Sequence, residues 1–563
     1  MIKIDSLLLD SFFEENHDYF INARVQKIQQ PTRRELILHL RNNSESKKLY
    51  ININPELYHI AFMSKDNEEK RSIQIPKQPP MFCMLLRKHM EGAKIIKVQK
   101  PKYERFIELY FENYNEIGDK IEECLSIELM GKHSNIVLYN TDNNIIIGCA
   151  HNIGSEKSKE RELAGGLPFI LPPVQDKKNP LKTNSQAFFK IISESQDSLK
   201  MTVSENFFGF SQILAEEILK KHGFNAEQIS SGLVPEQKQL LFVSLFEFLS
   251  QEKFEYSVSE DFEKYSCVED YPNKFESVND MIDSYFAHHI QKKLMKKIKS
   301  NLTNLVEREL KKLKNNLKIQ QKLLSNKDKA EKNKLKADLL LSNAHSIIII
   351  APKIKLKDFE DKNEIEIELD ENLSITDNAN KYYTKYNKVK RAYTVALEFV
   401  EKIQREIEYY EEILFAIEIS DNFEDLNEIN EEINPKPLLE KAKKEKIKKA
   451  INVEKRDIDG YSVYIGKNNK QNDYIFSKIS SPEDVWFHAL NIAGSHILVK
   501  NPDSIKLPDS VLLYASQLAK EFSSSRNSGK VSVVYTLRKY VRKPPNQKGG
   551  MVTYKNETEI VVE

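Results

Sequence analysis

Cysteine is scarce in this chain, with four in 563 residues. The four (Cys83, Cys124, Cys149 and Cys267) stand far apart, and no CxxC pair exists. Neither a zinc clip nor a disulfide framework is therefore expected, and a reducing cytoplasm is the simplest setting. Long apolar runs are lacking too. No stretch of about 18 uncharged apolar residues occurs, so no membrane span is expected. The opening run, MIKIDSLLLDSFFEENHDYF, carries acids inside its apolar stretch and no small-residue cleavage site, which makes it a poor signal peptide. Nucleotide-hydrolysis signatures are absent: there is no GxxxxGK[ST], and no GxGxxG follows a strand, which argues against a motor or kinase. Net charge is also nearly absent, at +1 from 85 basic and 84 acidic residues.

That balance hides segregation. Lysine and arginine dominate residues 291–336, acids dominate 421–432, and 520–548 is basic with Glu521 as its only acid. Basic blocks in a neutral chain point to local contacts with a polyanion, although each also reads as a solvated helix face.

The chain is long enough for three or four domains at roughly 150 residues each. Residues 1–173 alternate strand-like runs with turns: RRELILHLRN, KLYINI and FIELYFEN alternate apolar and polar residues, and TDNN supplies a turn between NIVLYN and NIIIGC. PPMFCMLLRKHMEGAKI reads as a helix that starts at a proline pair and stops at Gly92. FFGFSQILAEEILKKHGF reads as helix, glycine turn at Gly209, then an amphipathic helix ending at Gly223, an arrangement similar to a helix-hairpin-helix. Leu294, Ile298, Leu302, Leu305, Leu310, Leu313 and Leu317 recur at helical spacing, and a second periodic helix runs over 377–419. Two such helices predict an antiparallel coiled-coil arm or, alternatively, a bundle packed on the first domain. The strand-like block between them, SIIIIAPKIKLKDFEDKNEIEIELDEN, favours the arm because it needs room at a tip. A basic helix, LLEKAKKEKIKKA, leads to a final α+β segment.

The only tryptophan lies in DVWFHALNIAGSHILVK. His488 and His496 accompany Trp486, but no set of further ligands is near enough for zinc, and Ser495 has neither a nucleophile elbow nor an orienting acid. Strand alternation puts Val485 and Phe487 toward a core and Trp486 and His488 on the opposite face. A half-exposed Trp beside a His would make a stacking platform for an unpaired base. Arg538, Lys539, Arg542, Lys543 and Lys548 follow in LRKYVRKPPNQKGG, with Gly549 and Gly550 free to let backbone approach a phosphate. In the first domain Lys132 and His133 follow Gly131 at the start of a strand and suit a phosphate contact. Glu104 and Arg105 are adjacent; a carboxylate and a guanidinium can read a base edge, though nothing local demands it.

Taken in series, PPMFCMLLRKHMEGAKI, MGKHSNIVL, RELAGGLPFILPP, FFGFSQILAEEIL, NANKYYTKYNKVKRA, GKNNKQNDYIFSK, DVWFHALNIAGSHILVK and VRKPPNQKGGMVTY resemble the signatures of the NFACT proteins over essentially the whole chain. The resemblance implies an α+β multidomain fold. Its parts are an NFACT-N domain (1–175), a helix-hairpin-helix region (176–275), a coiled-coil arm (276–435) with a β tip near 346–375, and an α+β NFACT-R domain (436–563). It implies a ribosome quality control factor that binds large subunits blocked by peptidyl-tRNA, recruits alanyl-tRNA and directs alanine tailing without mRNA. The ribosome makes the bonds, so neither an enzyme activity nor a cofactor is implied. Implied partners are rRNA and stalk-base proteins, tRNA, and a small S4-domain protein, RqcP. The family's Asp-Arg pair falls on Glu104 and Arg105, one methylene longer at the acid, and Asp5 supplies a second acid. With Lys132 and His133 these form the tRNA-binding candidates. The Asp-to-Glu change leaves open a member that binds ribosomes without tailing. Older family usage suggests the rival reading of a fibronectin-binding surface adhesin. The N-terminal catalytic proline of the related glycosylases is absent, since Ile2 follows Met1, so base excision is not expected.

Overall fold

A computed structural model describes residues 4–114, 118–156, 161–173, 175–251, 253–347, 351–359, 363–434, 451–544 and 549–563. It comprises two compact units, Met1–Leu294 and Met295–Glu563. The fold is mixed α+β, with a long helical arm between two α+β domains.

A nine-stranded antiparallel sheet organises the first unit. Its strands are β1 (Arg24–Thr32), β2 (Glu35–Asn42), β3 (Glu45–Asn52), β4 (His59–Met63), β5 (Lys94–Gln99), β6 (Phe106–Tyr114), β7 (Lys120–Glu128), β8 (Asn135–Asn140) and β9 (Ile146–Cys149). They run in the order β4-β3-β2-β1-β5-β6-β7-β8-β9. The TDNN turn forms as expected: Asn140 Oδ1 accepts from the amides of Asp142 at 3.0 Å and Asn143 at 3.1 Å. Helices α1 (Ser6–Phe20), α2 (Lys65–Arg71) and α3 (Met81–Met90) accompany the sheet. Helix α1 serves two cores. Leu8, Leu9 and Phe12 join the sheet core, while Leu7 joins the core of a helical region.

That region holds α4 (Ser185–Glu194), α5 (Leu199–Asn206), α6 (Gln212–Lys221) and α7 (Pro235–Leu249). Phe207, Phe210, Leu214, Ile218 and Leu245 fill its core. The FFGF turn joins α5 to α6, with Gly209 at φ +88° and Ser211 capping α6 through the Leu214 amide at 3.2 Å. A small sheet of β10 (Tyr256–Val258), β11 (Tyr265–Ser266) and β12 (Asn273–Phe275) follows.

Helix α8 (Val278–Leu324) begins in the first unit and continues into the second. There α8 residues Leu302, Val306 and Leu310 share a core with Ile403, Ile407 and Ile413 of α10 (Ile375–Ile419) and Leu426 of α11 (Phe423–Ile433). Each such burial contributes about 1.5–3 kcal/mol. Farther out, α9 (Lys327–Ser342) packs on α10 around Ala337, Leu340, Ala379 and Tyr382. The tip hairpin pairs β13 (Lys353–Lys357) with β14 (Glu364–Glu368). Lys353, Lys355 and Lys357 face Glu368, Glu366 and Glu364, and Ile354, Leu356, Ile365 and Ile367 pack onto the helices. Of the apolar run SIIIIAP, Ile348, Ile349 and Ile350 lie outside the described residues, and β13 as described begins after the run, at Lys353. The predicted basic helix at 438–450 also lies outside the described residues.

The C-terminal sheet has β15 (Glu454–Ile458), β16 (Tyr461–Gly466), β17 (Val485–Ala489), β18 (His496–Val499), β19 (Val531–Leu537) and β20 (Thr558–Val562), in the order β15-β16-β18-β17-β19-β20. Helix α12 (Asn469–Tyr474), extended by a π turn over Ile475–Ile479, follows β16, and α13 (Asp509–Glu521) precedes β19. Both sheet faces are covered. Val463, Phe487, Ile497 and Val533 pack with Val511 and Leu518 of α13, while Trp486, Leu498 and Val534 pack with Ile475 and Val541.

Candidate nucleic-acid interface

In the first unit a cleft of about 480 Å³ is lined by the start of α1, the turn before β6, the α5–α6 turn and β11. Asp5 faces two ways. Its Oδ1 accepts from the Leu8 amide at 2.9 Å and so caps α1, and its Oδ2 accepts from Ser211 Oγ at 3.4 Å. Burial pushes the Asp5 carboxyl up to about 6, against the opposing pull of those hydrogen bonds and of Arg105. Burial likewise pushes Glu217 up to about 7, although Ser266 Oγ donates to it at 2.5 Å. Arg105 lines the same cleft beside Tyr58, whose hydroxyl pKa is raised by burial and drawn down by the Arg105 charge. Lys177 joins it, with its Nζ donating to Ser204 O at 2.8 Å; burial and the neighbouring Arg105 lower its pKa. Phe208 adds half-buried aromatic surface, while Tyr58 and Tyr103, 1% and 2% exposed, form the wall behind it. Three acids (Asp5, Glu205 and Glu217), two cations and the accessible Phe208 ring in one cleft suit a group with a polar edge, a π face and a phosphate, such as an unpaired nucleotide. Among the described residues no cluster of three His, Cys, Asp or Glu is placed to hold a metal.

The predicted residues of this unit are only partly brought together. Asp5 and Arg105 share the cleft, while Glu104 is half-buried and off its lining. Burial raises the Glu104 carboxyl, offset by Lys100, Arg105 and Lys177. Lys132 and His133 are exposed in a 3-10 turn, Gly131–His133, and do not line the cleft. That turn is nevertheless backed by Tyr58, since a Cβ on Gly131 would sit 3.7 Å from its ring. Sequence reasoning missed Tyr58, Lys177, Ser211 and Glu217. Only Ser211 carried a signal, as the capping residue just after the FFGF turn.

The C-terminal candidates require corrections. Trp486 is 2% exposed, not half-exposed. It does lie on the face opposite Phe487, but residues 475–479 and Tyr554 cover that face as well. The His488 ring lies parallel to it at 5.7 Å, and the His496 ring is perpendicular at 5.4 Å. His488 Nε2 lies 3.3 Å from Gly494 O, and burial lowers the pKa of both histidines. The three form a packed neutral cluster rather than a platform. Arg538 is also structural: its guanidinium lies 3.6 Å from the Phe476 ring centroid, and Nε donates to Ser480 Oγ at 2.9 Å. Lys539 pairs with Glu483 at 3.0 Å and Lys543 with Asp473 at 2.6 Å. Arg542 is exposed and has no ion pair among the described residues. Lys548 lies outside the described residues. The glycines serve packing here: the Gly550 amide donates to Asp473 Oδ1 at 3.2 Å, and a Cβ at Gly550 would meet Asn469 Oδ1 at 2.0 Å.

The model for the NFACT N-terminal and middle domains matches residues 5–451, and that for the NFACT protein RNA binding domain matches residues 452–556. The chain belongs to the NFACT family. It is 27% identical to the Rqc2 homolog RqcH of Bacillus subtilis (strain 168), over 100% of this chain and 98% of that protein. It is 30% identical to the Rqc2 homolog RqcH of Streptococcus pneumoniae (strain D39), again over 100% and 98%. Among solved structures, the N-terminal part of the fibronectin/fibrinogen-binding protein from Streptococcus suis is similar at 26% identity and a TM-score of 0.41, covering 51% of this chain and 100% of that one. No helix among the described residues is long and apolar enough to cross a membrane.

Proposed function

We propose that this protein is a ribosome quality control factor that engages large subunits obstructed by peptidyl-tRNA, recruits alanyl-tRNA and directs alanine tailing of the stalled chain. The observation that carries this reading is the Asp5–Arg105 cleft, within a chain that aligns end to end with Rqc2 homologues named RqcH. Arg105 and Lys177 hold a backbone phosphate of the tRNA, Phe208 takes an unpaired base, and Asp5 accepts from its polar edge. Lysines of α8 and α9, and Arg542 of the C-terminal domain, contact rRNA, while an S4-domain partner of the RqcP type supports repeated cycles. The protein selects tRNA and makes no bond itself, so it acts in the cytoplasm as an elongation factor rather than as an enzyme.

Cosedimentation tests the reading. Tagged protein from stalled cells is expected to travel with large subunits and tRNA at low salt and to come free as salt rises, because phosphate contacts weaken steeply with ionic strength. Protein that sediments alone at low salt in stalled cells would overturn it.

A further inference from the structure

Arg105 stands where it does because of a buried bracket that lies outside the cleft's binding groups. Asp10, on α1, is buried and receives Lys100 Nζ in an ion pair whose lysine side chain is 0% exposed. The same carboxylate accepts from the Tyr103 amide, at 3.0 Å to Oδ2 and 3.3 Å to Oδ1. Tyr103 is itself in a left-handed conformation, φ +66°, which a residue with a Cβ adopts only when its surroundings hold it there. Two neighbours hold it there. Its ring lies parallel to Phe208 with centroids 6.4 Å apart, and it closes on Gly209, where a Cβ would come within 3.1 Å of the ring. The turn then closes through the Glu104 amide, which donates to Pro101 O at 3.1 Å, and the chain enters the sheet as the Leu129 amide donates to Arg105 O at 2.8 Å.

We infer that Asp10 is a positioning residue: by accepting the Tyr103 amide it fixes the left-handed turn that delivers Arg105 to the cleft. Without that acceptor a buried N–H is left unpaired, and Tyr103 relaxes toward negative φ. Because Glu104 and Arg105 are the next two residues, that rotation moves their side chains directly. Lys100 has a different part. It neutralises the buried carboxylate and donates to Pro101 O at 3.3 Å, but makes no bond to Tyr103, and its loss is common to both paired variants. The inference rests on the proposed role of Arg105 in tRNA binding and adds how the sequence enforces its placement.

The two parts separate by paired substitutions in the full-length chain, with alanine tRNA transcript as the binding probe and purified large subunits as a control. Asp10→Asn with Lys100→Met keeps an acceptor for Tyr103 and leaves no buried charge. Asp10→Leu with Lys100→Met also leaves no buried charge but removes the acceptor. The Asn pair is expected to bind tRNA within about threefold of the parent, and the Leu pair at least about tenfold more weakly, with subunit binding retained in both. Parental tRNA affinity in the Leu pair would overturn the inference. If the Leu pair fails to fold, two variants of Tyr103 decide. Asn and Val both lose the ring, but only Val resists the left-handed backbone, so Tyr103→Val is expected to bind at least about fivefold more weakly than Tyr103→Asn. Equal binding by the two overturns the inference. Arg105→Ala in parallel separates the layers. If it binds tRNA normally, the reading of the cleft fails and the positioning role falls with it. If it loses tRNA while the Leu pair does not, only the positioning role falls.

Discussion

Asp5 and Ser211 meet across 206 residues of sequence, with Ser211 Oγ donating to Asp5 Oδ2 at 3.4 Å. Each side chain also caps a helix, Asp5 through the Leu8 amide and Ser211 through the Leu214 amide. The starts of α1 and α6 are thereby held at one cleft, and the charge that faces a ligand also holds the scaffold.

Asparagine caps a helix about as well as aspartate, so Asp5→Asn separates the two tasks. It is expected to cost little stability and to weaken tRNA binding by roughly tenfold, whereas Asp5→Ala also loses about 1 kcal/mol from the missing cap. Thermal melts beside filter binding check both. Full tRNA affinity in Asp5→Asn would remove its charge from recognition.

Asp5 and Glu217 titrate above their ordinary values of 3.8 and 4.5, at about 6 and about 7, because burial penalises their charged forms. A carboxyl raised in the folded state stabilises fully below its unfolded pKa, and that contribution is lost as pH rises through the folded value. These two groups therefore favour the first unit least above pH 7 and most near pH 4. Glu217→Gln is expected to stabilise it by on the order of 1 kcal/mol at about pH 8 and to flatten its pH slope between 4.5 and 7. Amide exchange in α6 measures this; an unchanged slope would refute it.

The C-terminal domain runs the other way. His496 is buried and His488 half-buried, and desolvation lowers the pKa of both below 6.5. The unfolded chain binds protons first, so this domain keeps its stability above pH 6.5 and loses it as pH falls through the folded values. Trp486 is the only tryptophan and stacks on His488, so its fluorescence reports this domain alone. The denaturant midpoint by that signal is expected to fall between pH 7 and 5.5, corresponding to a loss of about 1 kcal/mol or more in unfolding free energy. A constant midpoint would show that the histidines gain a proton without unfolding.

Among the basic residues of the C-terminal domain the pairing predicts unequal effects. Arg542→Ala is expected to weaken RNA binding and lower its salt slope by about one, because Arg542 is exposed without an ion pair among the described residues. Lys539→Ala and Lys543→Ala give smaller changes, since each already neutralises a carboxylate. Arg538→Ala is expected to lower the Trp486 unfolding midpoint rather than RNA affinity, because it loses the contact with Phe476. Titrations at several salt concentrations rank the four, and equal slopes would contradict the assignment.

What was legible in the sequence follows from which distances the chain encodes. Alternation in ELILHLRN and FIELYFEN, the TDNN turn and the heptad-like leucines of α8 are local, and each became the expected element. Alternation also put Trp486 opposite Phe487, but a period of two cannot tell an open face from a covered one. The cover comes from residues 475–479 and Tyr554, whose docking no local pattern announces. The cleft was equally hidden. Asp5, Arg105, Ser211 and Glu217 come from α1, the turn before β6, the α5–α6 turn and α6, and each alone reads as an ordinary cap or surface charge. The family resemblance singled out Asp5 and Arg105, and the geometry adds Lys177, Ser211 and Glu217.

The central claim, that the Asp5–Arg105 cleft recruits tRNA for tailing, is met most directly by mass spectrometry of the C-terminus of a non-stop reporter. Cells carrying the parent protein are expected to show alanine tails, and cells lacking it, or carrying Arg105→Ala at equal abundance and with large-subunit binding intact, are expected to show none. Identical reporter tails with the parent, with Arg105→Ala and with no protein would contradict the account.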